Sequence, residues 1–299
     1  MRVDPFYVQS LAVAVDQSTA TENTLTSELS SGLKVQSLQD NPVAVGSATT
    51  MGSAISRDDS YVQLASSVQT QMQVADSALG EVVSQVTSAL SLAVQGSNGT
   101  LNGSNLQTVA QQLMGFRDQV LSLANTSYQG SYVFGGSQGK AAPFALDTTV
   151  SPAVASYSGD SKVQTVATPG GQKIQVNLPG STVFGSGATG VLGALNQLIA
   201  DFAGGSVSSS VGGDTASLST ALSTLSQKRT VLDSSLSRLQ ATNTYAQTDE
   251  SQLKAAQSGL VAADTVSVAT ALKSEETQHQ ALISTMSALG SVNLFSYMK

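Results

Sequence analysis

Apolar residues recur along this chain at alternating spacings of four and three, the signature of helices that bury one narrow stripe against a partner. Leu11, Val15, Leu25 and Leu29 lie on such a stripe, whose other positions are Ser18, Glu22 and Gly32, and a first helix ending near Gly32 is expected. Asp40-Asn41-Pro42 then places a capping side chain before a proline at the first helical position, which starts a second helix. Its stripe, counted from Met51, is filled by Met51, Ile55, Val62, Ala65, Met72, Leu79, Val83, Val86 and Leu90. No proline interrupts residues 43–94, and a continuous helix of that length would span roughly 78 Å.

Gly96-Ser97-Asn98-Gly99-Thr100 breaks this helix, and a third one over about 104–127 carries Leu106, Val109, Leu113, Phe116, Val120 and Leu123 on one face, antiparallel to the second. From Tyr128 the pattern shortens to β-rich runs at 132–134, 154–157, 163–167 and 174–178, with Pro169-Gly170-Gly171 as a hairpin turn. Helical sequence resumes near Gly190. After a Gly/Ser-rich interruption at 204–213, a long helix from about Asp214 places Leu218, Leu222, Leu225, Leu232, Leu236, Leu239, Ala246, Leu253 and Leu260 on its stripe. A last helix carries Val268, Leu272, Leu282, Met286 and Leu289, followed by a tail with Leu294 and Phe295.

The expected fold class is therefore mainly α: long antiparallel, coiled-coil-like helical rods from both chain ends, with a small central β-rich domain. Residues 1–40 and 260–299 are expected as terminal helices paired on assembly, 41–130 with 188–259 as a helical rod domain, and 131–187 as the β-rich domain. A long helix with an apolar stripe needs other helices to cover it, so the expected assembly interface comprises Leu11, Val15, Leu25, Leu29, Val268, Leu272, Leu282, Met286, Leu289, Leu294 and Phe295. The terminal segments are expected to be loosely ordered until that cover arrives.

Charge narrows the possible partners. The formal net charge is -7 and no Lys/Arg cluster exists to neutralise phosphates, so neither nucleic acid nor an anionic membrane surface is an expected partner. No stretch is read as a membrane span, and the N-terminal apolar run 11–15 is too short for a secretory signal. Cysteine is absent, which removes disulfides and thiolate chemistry. Charged residues make up only 11% of the chain, so helix surfaces must present Ser, Thr, Gln, Asn and Ala.

Candidate chemistry is sparse. His279, the only histidine, falls on the stripe of the last helix beside Glu275 and reads as a packed or interface residue. Glu275-Glu276 and Asp58-Asp59 are adjacent pairs that point to different helix faces, and Gly135-Gly136 and Gly204-Gly205 lack the lysine and spacing of a phosphate loop. No catalytic site, metal site or cofactor is expected.

Several short motifs occur in one order over nearly the whole chain. They are Leu29-Ser30-Ser31-Gly32-Leu33-Lys34-Val35, Asp40-Asn41-Pro42-Val43-Ala44, the run 92–100, Gly130-Ser131-Tyr132-Val133-Phe134-Gly135-Gly136, and Ser291-Val292-Asn293-Leu294-Phe295. Together they resemble the flagellin family of bacterial axial proteins, and within it the hook–filament junction branch. The resemblance implies an extracellular structural adapter of the bacterial flagellum, exported without a cleaved signal peptide. Its implied partners are copies of itself, a hook-associated protein on the hook side, flagellin on the filament side and a flagellar export chaperone. The alternatives are a flagellin filament subunit or, outside the family, a secreted coiled-coil adhesin or secretion-apparatus protein.

Overall fold

The structure, a computed structural model, describes residues 5–187 and 190–296, with the side chains at 5, 7, 8 and 289–296 outside the description. The expectations at Leu289, Leu294 and Phe295 therefore lie outside the described side chains. Among the described residues seven helices and six short strands follow one another: α1 (Pro5–Ser31), α2 (Pro42–Ser97), α3 (Gly103–Ala124), β1 (Ser127–Tyr128), β2 (Ser131–Tyr132), β3 (Phe144–Asp147), β4 (Val154–Tyr157), β5 (Thr165–Ala167), β6 (Lys173–Gln175), α4 (Gly180–Val183), α5 (Val191–Ala203), α6 (Val211–Val261) and α7 (Thr265–Ser296). The chain divides into two compact units, Met1–Ser56 with Asp249–Lys299, and Arg57–Thr248.

In the Arg57–Thr248 unit the seam of α2 keeps the expected heptad but shifts alternate positions by one residue. Tyr61, Ala65, Met72, Ala75, Leu79, Val82, Val86, Ala89 and Ala93 are buried, whereas Val62, Val83 and Leu90 only flank the core. Alanines share this buried line with Tyr61, Met72 and Leu79, and the two valines and the leucine pack at its edge. Gly96 continues this seam: a Cβ there would lie 2.9 Å from the ring of Phe202 and 3.4 Å from Val109, so a bare backbone is required. On α3 the buried line runs Leu106, Val109, Ala110, Leu113, Arg117, Val120 and Ala124, with Phe116 and Leu123 packed at its edge.

The seam of α6 agrees closely with its sequence pattern. Leu218, Leu225, Leu232, Leu239, Asn243 and Ala246 are buried, with Leu222 and Leu236 partly so. Residue 229 meets residue 76, 242 meets 61 and 243 meets 66, so α6 runs antiparallel to α2. The outward hydroxyls are turned back on their own helices. Thr49, Thr70 and Thr87 on α2, and Thr220, Thr224 and Thr230 on α6, each donate to the carbonyl four residues earlier at 2.7–3.1 Å.

The β region consists of three antiparallel two-stranded ladders, β1–β2, β3–β4 and β5–β6. The turn between β5 and β6 is closed by the Gly171 amide donating to the Thr168 carbonyl at 2.9 Å, with Gly171 at φ 82°, as Pro169-Gly170-Gly171 leads one to expect. The strand β3 is absent from the sequence reading. Phe134 and Phe144 each set an edge-on ring against Phe184, with centroids 5.2 and 5.3 Å apart. These rings belong to the same core as Leu113 of α3 and Leu195, Leu198 and Phe202 of α5, the most apolar of the helices.

One expectation needs correction. By length and composition alone, α2 is apolar enough to cross a membrane. The cause is its Ala/Val/Leu seam combined with few charges, and 33% of its most apolar stretch is buried inside the structure.

Candidate assembly interface

The unit of Met1–Ser56 and Asp249–Lys299 is built around α1 and α7. The first helix ends because Gly32 adopts φ 70°, a left-handed conformation natural for glycine at this position, and donates its amide to the Glu28 carbonyl at 2.8 Å. The chain then pairs with the connector between α6 and α7. Leu33 and Ala262 form an antiparallel bridge, with the Lys34 amide donating to the Val261 carbonyl at 2.9 Å and the Ala263 amide donating to the Gly32 carbonyl at 2.8 Å. Both connectors are capped by aspartates or asparagine. Asp40 accepts from the Gln36 and Ser37 amides at 2.9 and 2.8 Å, and these bonds hold its carboxyl below the usual carboxylate range. Asn41 caps α2 by accepting from the Ala44 amide at 3.0 Å, and Asp264 accepts from the Val266 amide at 3.1 Å at the start of α7.

From this base α1 and α7 run antiparallel. Leu11 and Val268 are buried, and Val15, Leu25, Leu272 and Leu282 are half-buried along the shared stripe. Leu29 and Met286, expected on the same stripe, remain 38% and 39% exposed. At the Leu29 turn the covered position is Glu28 instead, because the helix rotates its stripe by one residue before Gly32.

The middle of the seam is polar. Ser18 is buried and donates to Glu275 at 2.7 Å, while His279 lies 3.6 Å from Glu22 through Nδ1 and 3.3 Å from the Thr19 hydroxyl through Nε2. Sequence reasoning put His279 and Glu275 on the stripe of α7. It missed their partners on α1, although Ser18 and Glu22 are the two helical positions at which the α1 stripe lacks an apolar residue. Among the described residues no group of three or more His, Cys, Asp or Glu is placed to hold a metal ion.

Among the described residues 42 apolar side chains are buried, of which Leu11, Ala44 and Val268 lie in this unit and the other 39 form the core of the Arg57–Thr248 unit. Phe6, Val13, Leu33, Leu38, Val43, Val266 and Ile283 join Leu29 and Met286 as exposed large apolar side chains of the unit built around α1 and α7.

Residues 8–139 match the bacterial flagellin N-terminal helical region. Over that stretch the chain is similar to bacterial flagellins. It is 27% identical over 181 residues to flagellar hook-associated protein 3 of Salmonella typhimurium, covering 60% of this chain and 55% of that protein. It is 30% identical over 119 residues to the Escherichia coli protein of the same name, covering 40% of this chain and 38% of that one. The chain thus spans less than two thirds of either curated relative. The flagellar junction protein FlgL from Legionella pneumophila shares the fold, with a TM-score of 0.60 at 14% identity over 73% of this chain and 100% of that chain.

Proposed function

We propose that the chain is a structural adapter of the bacterial flagellum that joins the hook, through hook-associated proteins, to the flagellin filament. The observation that carries this reading is the unit of α1 and α7, where three apolar side chains are buried among the described residues and nine large ones are exposed, a surface that neighbouring subunits would cover. The relatives' names supply the setting, and the helical seams supply the means. Copies of this chain pack through α1 and α7, with a hook-associated protein on one side and flagellin on the other. The terminal segments gain their full order in that assembly, and the chain reaches it by the flagellar export route with a chaperone, without a cleaved signal peptide.

The test separates folding from assembly. Leu29 and Met286 are exposed in the single chain, so Leu29→Glu and Met286→Glu should leave helicity and export unchanged. In the assembly each would bury an unpaired carboxylate, at several kcal/mol per subunit. Cells carrying either change should shed the protein into the medium and fail to hold filaments. Normal motility in both would reject this interface.

A further inference from the structure

The seam between α1 and α7 is not uniform along its length. At its base the connectors are tied by the Leu33–Ala262 bridge, and Leu25, Leu272 and Val268 supply apolar cover. At its far end Leu11, Val15 and Leu282 do the same. Between them lies the layer of Ser18, Thr19, Glu22, Glu275 and His279.

We infer that this polar layer is a breakpoint, so that the far halves of α1 and α7, residues 5–17 and 280–296, open together while the halves at the base, 23–31 and 265–274, stay paired. The layer is satisfied but weakly binding. Ser18 and Glu275 make one good hydrogen bond, yet Glu22 and His279 meet at 3.6 Å and are each about one fifth exposed. Partly buried polar groups exchange bonds to water for bonds to each other with little net gain, whereas an apolar pair in the same place adds free energy through burial. Pairing of the far halves therefore receives little support from the base across this layer, and local opening follows the weakest link of a seam. The bridged base keeps the two far halves close to each other and in register, so opening does not release the pair.

This deepens the proposed assembly role, because far halves that open while the base stays paired are free to pack against a neighbour, but it is testable in the isolated chain. Hydrogen exchange of the full-length protein should show a step in protection at residues 18–22 and 275–279, with the far halves exchanging at least about tenfold faster than the base halves. Glu22→Leu combined with His279→Leu makes the layer apolar and should remove the step, slowing exchange of the far halves without changing the Arg57–Thr248 unit. Leu11→Ala should accelerate only the far halves, whereas Leu272→Ala should accelerate both. A gradual rise in exchange towards the ends, equally fast exchange over both halves, or no response to the double leucine variant would each overturn the breakpoint. None of these outcomes would affect the motility test, which depends on Leu29 and Met286.

Discussion

The guanidinium of Arg229 on α6 grips the carboxylate of Asp76 on α2 with two bonds, Nε to one oxygen at 2.6 Å and Nη2 to the other at 3.1 Å. The hydrogen bond from Arg229 holds Asp76 below the usual carboxylate range. Neighbouring Asp233 is pushed up, first by burial and then by the charge of Asp76.

Arg229→Leu should therefore lower stability at neutral pH by about 1–2 kcal/mol, since two nearby carboxylates lose their only shared cation among the described contacts. A carboxylate with a depressed folded-state pKa contributes stability above its ordinary value and loses it as pH falls through the lowered one. The gap between wild type and variant should be widest near neutral pH and close below about pH 4. Thermal melts across that range provide the check, and a gap that widened on acidification would contradict the assignment.

Asp214, in the first turn of α6, behaves in the opposite sense. Burial raises its pKa, and a hydrogen bond shared with Asp201, whose other partner is Ser210 at 2.6 Å, raises it further. A raised folded-state pKa stabilises at low pH, and that stability is lost as pH rises through the raised value. Asp214→Asn should raise the melting temperature at neutral pH and flatten its decline between acid and neutral conditions. An unchanged pH profile would remove the shared-proton account.

Asn125 joins the end of α3 to the β region in the way a neighbouring strand would. Its amide donates to the Phe144 carbonyl at 2.9 Å and its side-chain oxygen accepts the Phe144 amide at 2.9 Å. Asn125→Ala should cost about 1–3 kcal/mol, because both backbone groups of a buried residue lose their partner. Asn125→Asp should cost a comparable amount through loss of the donor alone. Denaturant unfolding of the three proteins gives the comparison.

Gly96→Ala should destabilise although alanine is the better helix former. The gain in propensity is about 1 kcal/mol, while forcing a methyl to 2.9 Å from the buried ring of Phe202 costs about 1–3 kcal/mol. Pairing it with Phe202→Leu should recover part of the loss, which equilibrium unfolding would show as non-additivity.

What the sequence revealed depended on the size of the residues at each seam. On α6 leucines occupy most seam positions, so counting large apolar residues locates the buried line directly. On α2 the same count selects Val62, Val83 and Leu90, because nothing in an isolated pattern says that Tyr61, Val82 and Ala89 one residue away are the ones covered. Which of two adjacent apolar residues is covered is decided by the partner surface, which the pattern of one helix does not contain. The strand at Phe144-Ala145-Leu146-Asp147 has no β-branched residue to announce it; it is defined by pairing with β4 and by Asn125. The polar layer of the terminal helices was half visible, as the stripe of α7 passed through His279 while the matching gaps at Ser18 and Glu22 looked like simple failures of the pattern.

The hydroxyls that bond back to their own helices change how the outer surface meets its medium. A threonine whose proton is already committed to a carbonyl four residues back presents its methyl and one oxygen outward, and so asks little of the surrounding ions. With charges on only 11% of its residues, such a surface has few ion pairs for dissolved salt to screen. Contacts between surfaces of this kind should hold nearly the same strength in dilute and in saline water, which suits the proposed role in an appendage bathed by whatever liquid surrounds it.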